Sequence, residues 1–151
     1  MCRSPYSKMT TWVTTFGNNI PEGAVRGGCE SDGKPLFVAR AKIENLITAG
    51  KAGFHLPGAH IPYGCKEHIV NQYEVLVHPT RAPGLYEWRS CSNGNIPPGA
   101  LATDRNMFIG RFHHQGGLVP GKVDTNNRCA YIGFDGKEIS KLEYDVLCQI
   151  K

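Results

Sequence analysis

The eight residues NNIPEGAV at 18–25 return almost unchanged as GNIPPGAL at 94–101. Slid against itself by 76 positions, the chain brings Trp12 onto Trp88, Asn19-Ile20-Pro21 onto Asn95-Ile96-Pro97 and Gly23-Ala24 onto Gly99-Ala100. The offset then falls to 71, because the first copy carries five extra residues in the loop GGCESDGKP. From there Phe37 meets Phe108, Gly50-Lys51 meets Gly121-Lys122, and Tyr73 meets Tyr144, with eleven identities in forty aligned positions. Two copies of one unit, at 11–77 and 87–148, therefore fill nearly the whole 151-residue chain. Each unit of some 70 residues buries too little apolar surface alone, so the copies are expected to pack about a pseudo-twofold axis as one two-repeat domain.

The local pattern points to an all-β chain of short antiparallel strands. LFVARA and MFIGRF are β-rich runs with partial apolar and polar alternation, TTWVTTF and LYEWRS open the copies, and YEVLV and YDVLCQI close them. Between them NIPEGA, SDGKP, TAGK, LPGAH and PYGCKE each carry the Gly, Pro or Asp that a turn needs. The segments KEHIVNQY and KEISKLEY are read as single helical turns before the last strand of each copy.

Composition excludes several functions. The net charge of +4 is mild, and no lysine–arginine block or basic stripe with interleaved aromatics supports nucleic-acid binding. No apolar run approaches a membrane span, and MCRSPYSKMTTW has no signal-peptide apolar region. The expected location is cytoplasmic, with vesicle association or release without a signal peptide as variants. In that setting Cys2, Cys29, Cys65, Cys91, Cys129 and Cys148 read as free thiols. Cys65 and His68 have a ligand-like spacing, but no second pair completes a zinc site. His113 and His114 lie on or just after a strand, so they point to opposite faces and read as surface residues. No cysteine recurs at matching positions or has a base by motif, so a non-enzymatic protein without cofactor is expected.

Four charges recur in both copies: Arg40/Arg111, Lys51/Lys122, Lys66/Lys137 and Glu67/Glu138. Eleven residues separate Arg from Lys and sixteen separate Lys from Glu each time. Solvated positions drift freely between copies, so a charge kept in both is under constraint. For the Arg–Glu set, an internal salt bridge such as Arg40 with Glu67 and a ligand-supporting role both remain open. Lys51 and Lys122 each follow a glycine that reads as a turn, which would face the lysine outward toward a ligand.

The order of motifs, Trp…IPxGA, GG-x-acid-SDG-x-P-L-x-V-x-R, the GK pair, YG-x-KE and YEVL, resembles the DM-nine repeat family over about residues 11–148. Members similar to this chain include tandem two-repeat, mannose-binding lectins of bivalves and proteins of flatworms and insects. The same module is joined to an aerolysin-like pore domain in natterin-like toxins, a segment with no counterpart in this sequence. The resemblance implies sugar recognition by the loop acid together with the GK lysine, here Glu30 with Lys51 and, in the second copy, Asp104 with Lys122. Arg40, Glu67, Arg111 and Glu138 would support them. The implied partners are mannose-containing glycans, and a homodimer would add avidity. Glu30 stands where the pattern has aspartate, and the second copy lacks the Gly-Gly loop. The alternative is an intracellular scaffold whose lysines bind acidic partners or lipid head groups.

Overall fold

A computed structural model describes residues 10–79 and 85–150; Cys2 lies outside them. The described residues form fourteen strands and no helix, all antiparallel. The first repeat supplies β1 (Thr11–Phe16), β2 (Arg26–Cys29), β3 (Pro35–Ile43), β4 (Leu46–Ala52), β5 (Ala59–Tyr63), β6 (Lys66–Val70) and β7 (Gln72–Val77). The second supplies β8 (Tyr86–Ser92), β9 (Ala102–Asp104), β10 (Met107–His114), β11 (Gly117–Asp124), β12 (Cys129–Phe134), β13 (Lys137–Lys141) and β14 (Glu143–Gln149).

The strand order β1-β7-β3-β4-β5-β6-β13-β12-β11-β10-β14-β8 is a palindrome in repeat equivalents. Its centre is the rung Lys66↔Lys137, one residue in two copies, so the expected pseudo-twofold axis passes between β6 and β13. β2 then pairs with β3 on one side and β11 on the other, closing β3-β4-β5-β6-β13-β12-β11-β2 into a barrel. Closure across the copies removes most sheet edges.

The segments read as helical turns are strands instead. KEHIV is β6 and KEISK is β13, because both pair with a preceding strand and with each other across the axis. Tertiary pairing overrides a weak local preference. Four two-residue hairpin turns keep both residues at positive φ: Glu44-Asn45, Gln115-Gly116, Gly64-Cys65 and Asp135-Gly136.

Three apolar clusters match the symmetry. Ala41, Ile61, Tyr73 and Val75 fill the first repeat, and their equivalents Phe112, Ile132, Tyr144 and Val146 fill the second. On the axis, Val38 and Leu76 meet Ile109 and Leu147, with Trp12 and Trp88 packed against them. The recurrent tyrosines also tie each closing strand to a turn: Tyr73 donates to the Gly17 carbonyl at 2.6 Å, and Tyr144 to that of Asn95 at 2.8 Å.

Candidate functional site

The GK pairs are not turns. Lys51 lies in β4 and Lys122 in β11, only 5% and 4% exposed. Glycine precedes each lysine because a neighbouring strand crosses close by. A side chain at Gly50 would overlap the His60 carbonyl, and one at Gly121 the Tyr131 carbonyl. The outward reading of both lysines is thereby overturned.

Each lysine instead ties the two repeats together from within. Lys51 Nζ donates to the Gly133 carbonyl at 2.8 Å and lies 3.4 Å from Glu67 Oε2. Lys122 Nζ lies 3.1 Å from Glu138 Oε2. Across the axis, Lys51 faces the Phe134 ring at 5.8 Å and Lys122 faces Tyr63 at 5.1 Å. The glutamates are reciprocal as well: Glu67 Oε1 accepts from the Gly136 amide at 3.0 Å, and Glu138 Oε1 from the Cys65 amide at 2.9 Å. Burial alone would raise the Glu67 pKa. The His60 imidazole, the Lys51 ammonium and the Gly136 N–H outweigh it and hold the carboxyl at about 2.

Arg40 pairs with Glu74, not Glu67, through Nε at 2.9 Å, and stacks on Trp12 at 4.1 Å. Arg111 repeats this with Asp145 at 3.0 Å and Trp88 at 4.2 Å, and also donates to the Gly27 carbonyl at 3.0 Å. Both arginines edge shallow outer clefts, about 500 Å³ beside Arg111 and about 240 Å³ beside Arg40. Their guanidinium groups are committed to protein partners.

Glu30 faces a different cleft, of about 250 Å³. It opens the β2–β3 turn, whose own bonds hold it in place: the Glu30 amide donates to the Lys34 carbonyl at 2.9 Å, and the Lys34 amide to Asp32 at 3.1 Å. The Glu30 carboxylate meets His55 Nε2 at 2.8 Å. The opposite wall comes from the second repeat, with His114, Gln115 and Phe134, the His114 and Phe134 rings packed edge to face at 4.7 Å. His114, read from sequence as a surface residue, thus lines the cleft, while His113 points into the Arg111 cleft. The cleft joins carboxylate acceptors (Glu30, Asp32), donors (Lys34, Gln115 and imidazole) and an aromatic ring. That is the donor and acceptor mix a neutral polyol uses. Asp32 is kept ionised by the Lys34 amide and ammonium, which lower its pKa against the raising effect of burial.

The structure does not bring Lys51 to Glu30. Lys51 touches the far wall of the cleft, through Phe134 and the Gly133 carbonyl, and so acts as a positioning residue for β12. Asp104 and Lys122 are also apart, with β10 between their strands. By ladder register Asp104 opposes Met107 as Gly28 opposes Leu36, so Asp104 occupies the place of Gly28. Its carboxylate accepts from the Ile47 amide at 2.8 Å and the Arg105 amide at 2.8 Å, which lower its pKa. Ile47 is the repeat equivalent of Leu118, the residue that pairs with Cys29 where β2 meets β11. Asp104 therefore replaces a ladder contact with a side chain.

The cysteines Cys29, Cys65, Cys91, Cys129 and Cys148 carry free thiols. His68 Nε2 lies 2.9 Å from the Tyr63 carbonyl, and among the described residues no group of three His, Cys, Asp or Glu could hold a metal ion.

The sequence model of the DM9 repeat matches residues 2–68 and 52–141. Natterin-1 and Natterin-2 of Thalassophryne nattereri are 26% identical over 142 and 144 residues. Those alignments cover 90% and 93% of this chain but 37% and 36% of the relatives, so the chain spans about a third of their length. The crystal structure of the nematode sperm cell motility protein MFP2B superposes with a TM-score of 0.70 at 16% identity, over all of this chain and 50% of that one. At that identity the likeness is one of fold.

Proposed function

Because this chain belongs to the DM9 repeat family, we propose that it is a non-enzymatic carbohydrate-binding protein whose ligand sits in the Glu30 cleft. The observation that carries the reading is the Glu30–His55 pair at 2.8 Å, at the mouth of a cleft walled by Phe134. A carboxylate accepts from two neighbouring hydroxyls while the imidazole and the Lys34 ammonium donate, and the ring packs against the C–H face of a pyranose. The cleft is smaller than the roughly 300–1,000 Å³ of drug-sized pockets, which favours a single sugar ring at weak affinity. Mannose-containing glycans are the proposed ligands. Recognition of microbial or host glycans is the proposed role, by a cytoplasmic protein or one released without a signal peptide. A homodimer would supply avidity.

The scaffold alternative relied on Lys51 and Lys122 as exposed cations, and both are buried and paired. Retention on immobilised mannan at low and at high salt separates the readings. Hydroxyl recognition in a cleft keeps its retention as the Debye length shrinks from about 10 Å to about 3 Å. Loss of retention with salt, or stronger capture on anionic vesicles than on mannan, rejects the lectin reading.

A further inference from the structure

We infer that the chain carries one glycan site rather than two, assembled jointly by both repeats, an inference that rests on the carbohydrate reading above. The acidic half of the cleft is Glu30, Asp32, Lys34 and His55; the other half is His114, Gln115 and Phe134. Neither repeat holds the full set. Gly117 makes the junction possible, because a side chain there would press on the Cys29 carbonyl at 2.9 Å, where the Glu30 turn begins.

The position related by the pseudo-twofold axis cannot repeat this arrangement. There the five-residue span 30–34 between β2 and β3 shrinks to Arg105 and Asn106 between β9 and β10, so no residue stands in for Glu30. The offset of 71 puts Asn126 in place of His55, and Ile43 and Glu44 in place of His114 and Gln115. Of the carboxylates nearby, Glu44 sits on the exposed β3–β4 turn in the place of Gln115, and the other two are occupied. Asp104 is held by the Ile47 and Arg105 amides, and Asp124 by the Asn126 and Asn127 amides and the Asn127 side chain. Glu30 is paired as well, through Oε2 with the His55 imidazole at 2.8 Å, but that pair lines an open cleft. The five-residue difference between the copies thus separates a binding repeat from a bracing repeat. A chain with one site cross-links glycans only after pairing with a second copy.

Equilibrium dialysis with radiolabelled methyl α-mannoside, checked by native mass spectrometry, counts the sites. The expected result is saturation at one equivalent per chain. Gln115→Gly, which tolerates the positive φ at that turn, should weaken binding about tenfold or more, the equivalent of one good hydrogen bond. Phe134→Leu should weaken it as a second, independent variant, and Asn126→Ala should leave it unchanged. Two equivalents per chain, or loss in Asn126→Ala with retention in Gln115→Gly, overturns the single-site inference while the carbohydrate reading stands. No uptake of mannoside, galactoside or N-acetylglucosaminide by the folded wild type overturns the carbohydrate reading, and this inference with it.

Discussion

Lys66 pairs directly with Lys137 across β6 and β13, so two copies of one lysine oppose each other on the pseudo-twofold axis. Like charges at facing positions are unfavourable. The neighbouring glutamates join the two strands by reaching over the axis, Glu67 to the Gly136 amide and Glu138 to the Cys65 amide. The barrel is welded at the point where its charges conflict.

Replacing one lysine should relieve that conflict. Lys137→Glu turns a like-charged rung into an opposite-charged one, and stability should rise by about 0.2–1 kcal/mol at low salt. The double variant Lys66→Glu/Lys137→Glu should return to the wild-type value. Urea midpoints at two salt concentrations check this, and an unchanged midpoint in the single variant counts against repulsion at the axis.

The buried lysines are a second test. Lys51→Met takes the ammonium away from Glu67 and the Gly133 carbonyl, leaving the carboxylate to His60 and the Gly136 amide in an interior where both side chains are at most 7% exposed. The expected loss is about 1–3 kcal/mol. Adding Glu67→Gln should recover part of it, since the amide oxygen still accepts from Gly136. If Lys51→Met unfolds at the wild-type denaturant concentration, the clasp contributes nothing.

Acid should weaken the same clasp. The Glu67 carboxyl sits at about 2 in the fold and near 4.5 when unfolded, so its folded value is depressed. Its contribution is complete above pH 4.5 and is lost as pH falls toward 2, roughly 3 kcal/mol in all for that difference. Thermal melts across this window should show a steeper fall for wild type than for Glu67→Gln. Parallel curves would remove Glu67 from the acid response.

The glycines before the lysines make a steric prediction. Gly50→Ala drives a methyl group into the His60 carbonyl and Gly121→Ala one into that of Tyr131, on the rungs β4 shares with β5 and β11 with β12. Each should cost about 1–3 kcal/mol or more. A denaturation midpoint within error of wild type for both would show that the strands can move apart freely.

The sequence made the repeat legible because identical residues mark it directly, and with the repeat came the all-β class and the symmetry. The joining of the copies was not legible, since the Lys66↔Lys137 rung leaves no local pattern in either strand. Glycine misled at Gly50 and Gly121, where it serves a close strand crossing rather than a turn. Conversely, the hairpin turn Glu44-Asn45 has no glycine to announce it. In the site, the family resemblance singled out Glu30. His55, Gln115 and Phe134 stayed hidden because the cleft is assembled from both copies, and no residue of one repeat signals its neighbour in the other. Motif order sets Asp104 against Glu30 across a gap, and only the ladder register shows it standing at Gly28.

The most direct measurement is a two-dimensional amide NMR titration of the wild-type protein with methyl α-mannoside. The account predicts shifts confined to the amides of 30–34, His55, 114–117 and Phe134, all reporting one binding constant and all lost in Glu30→Gln. Shifts centred on the Arg111 or Arg40 clefts, or the same shifts persisting in Glu30→Gln, would contradict it.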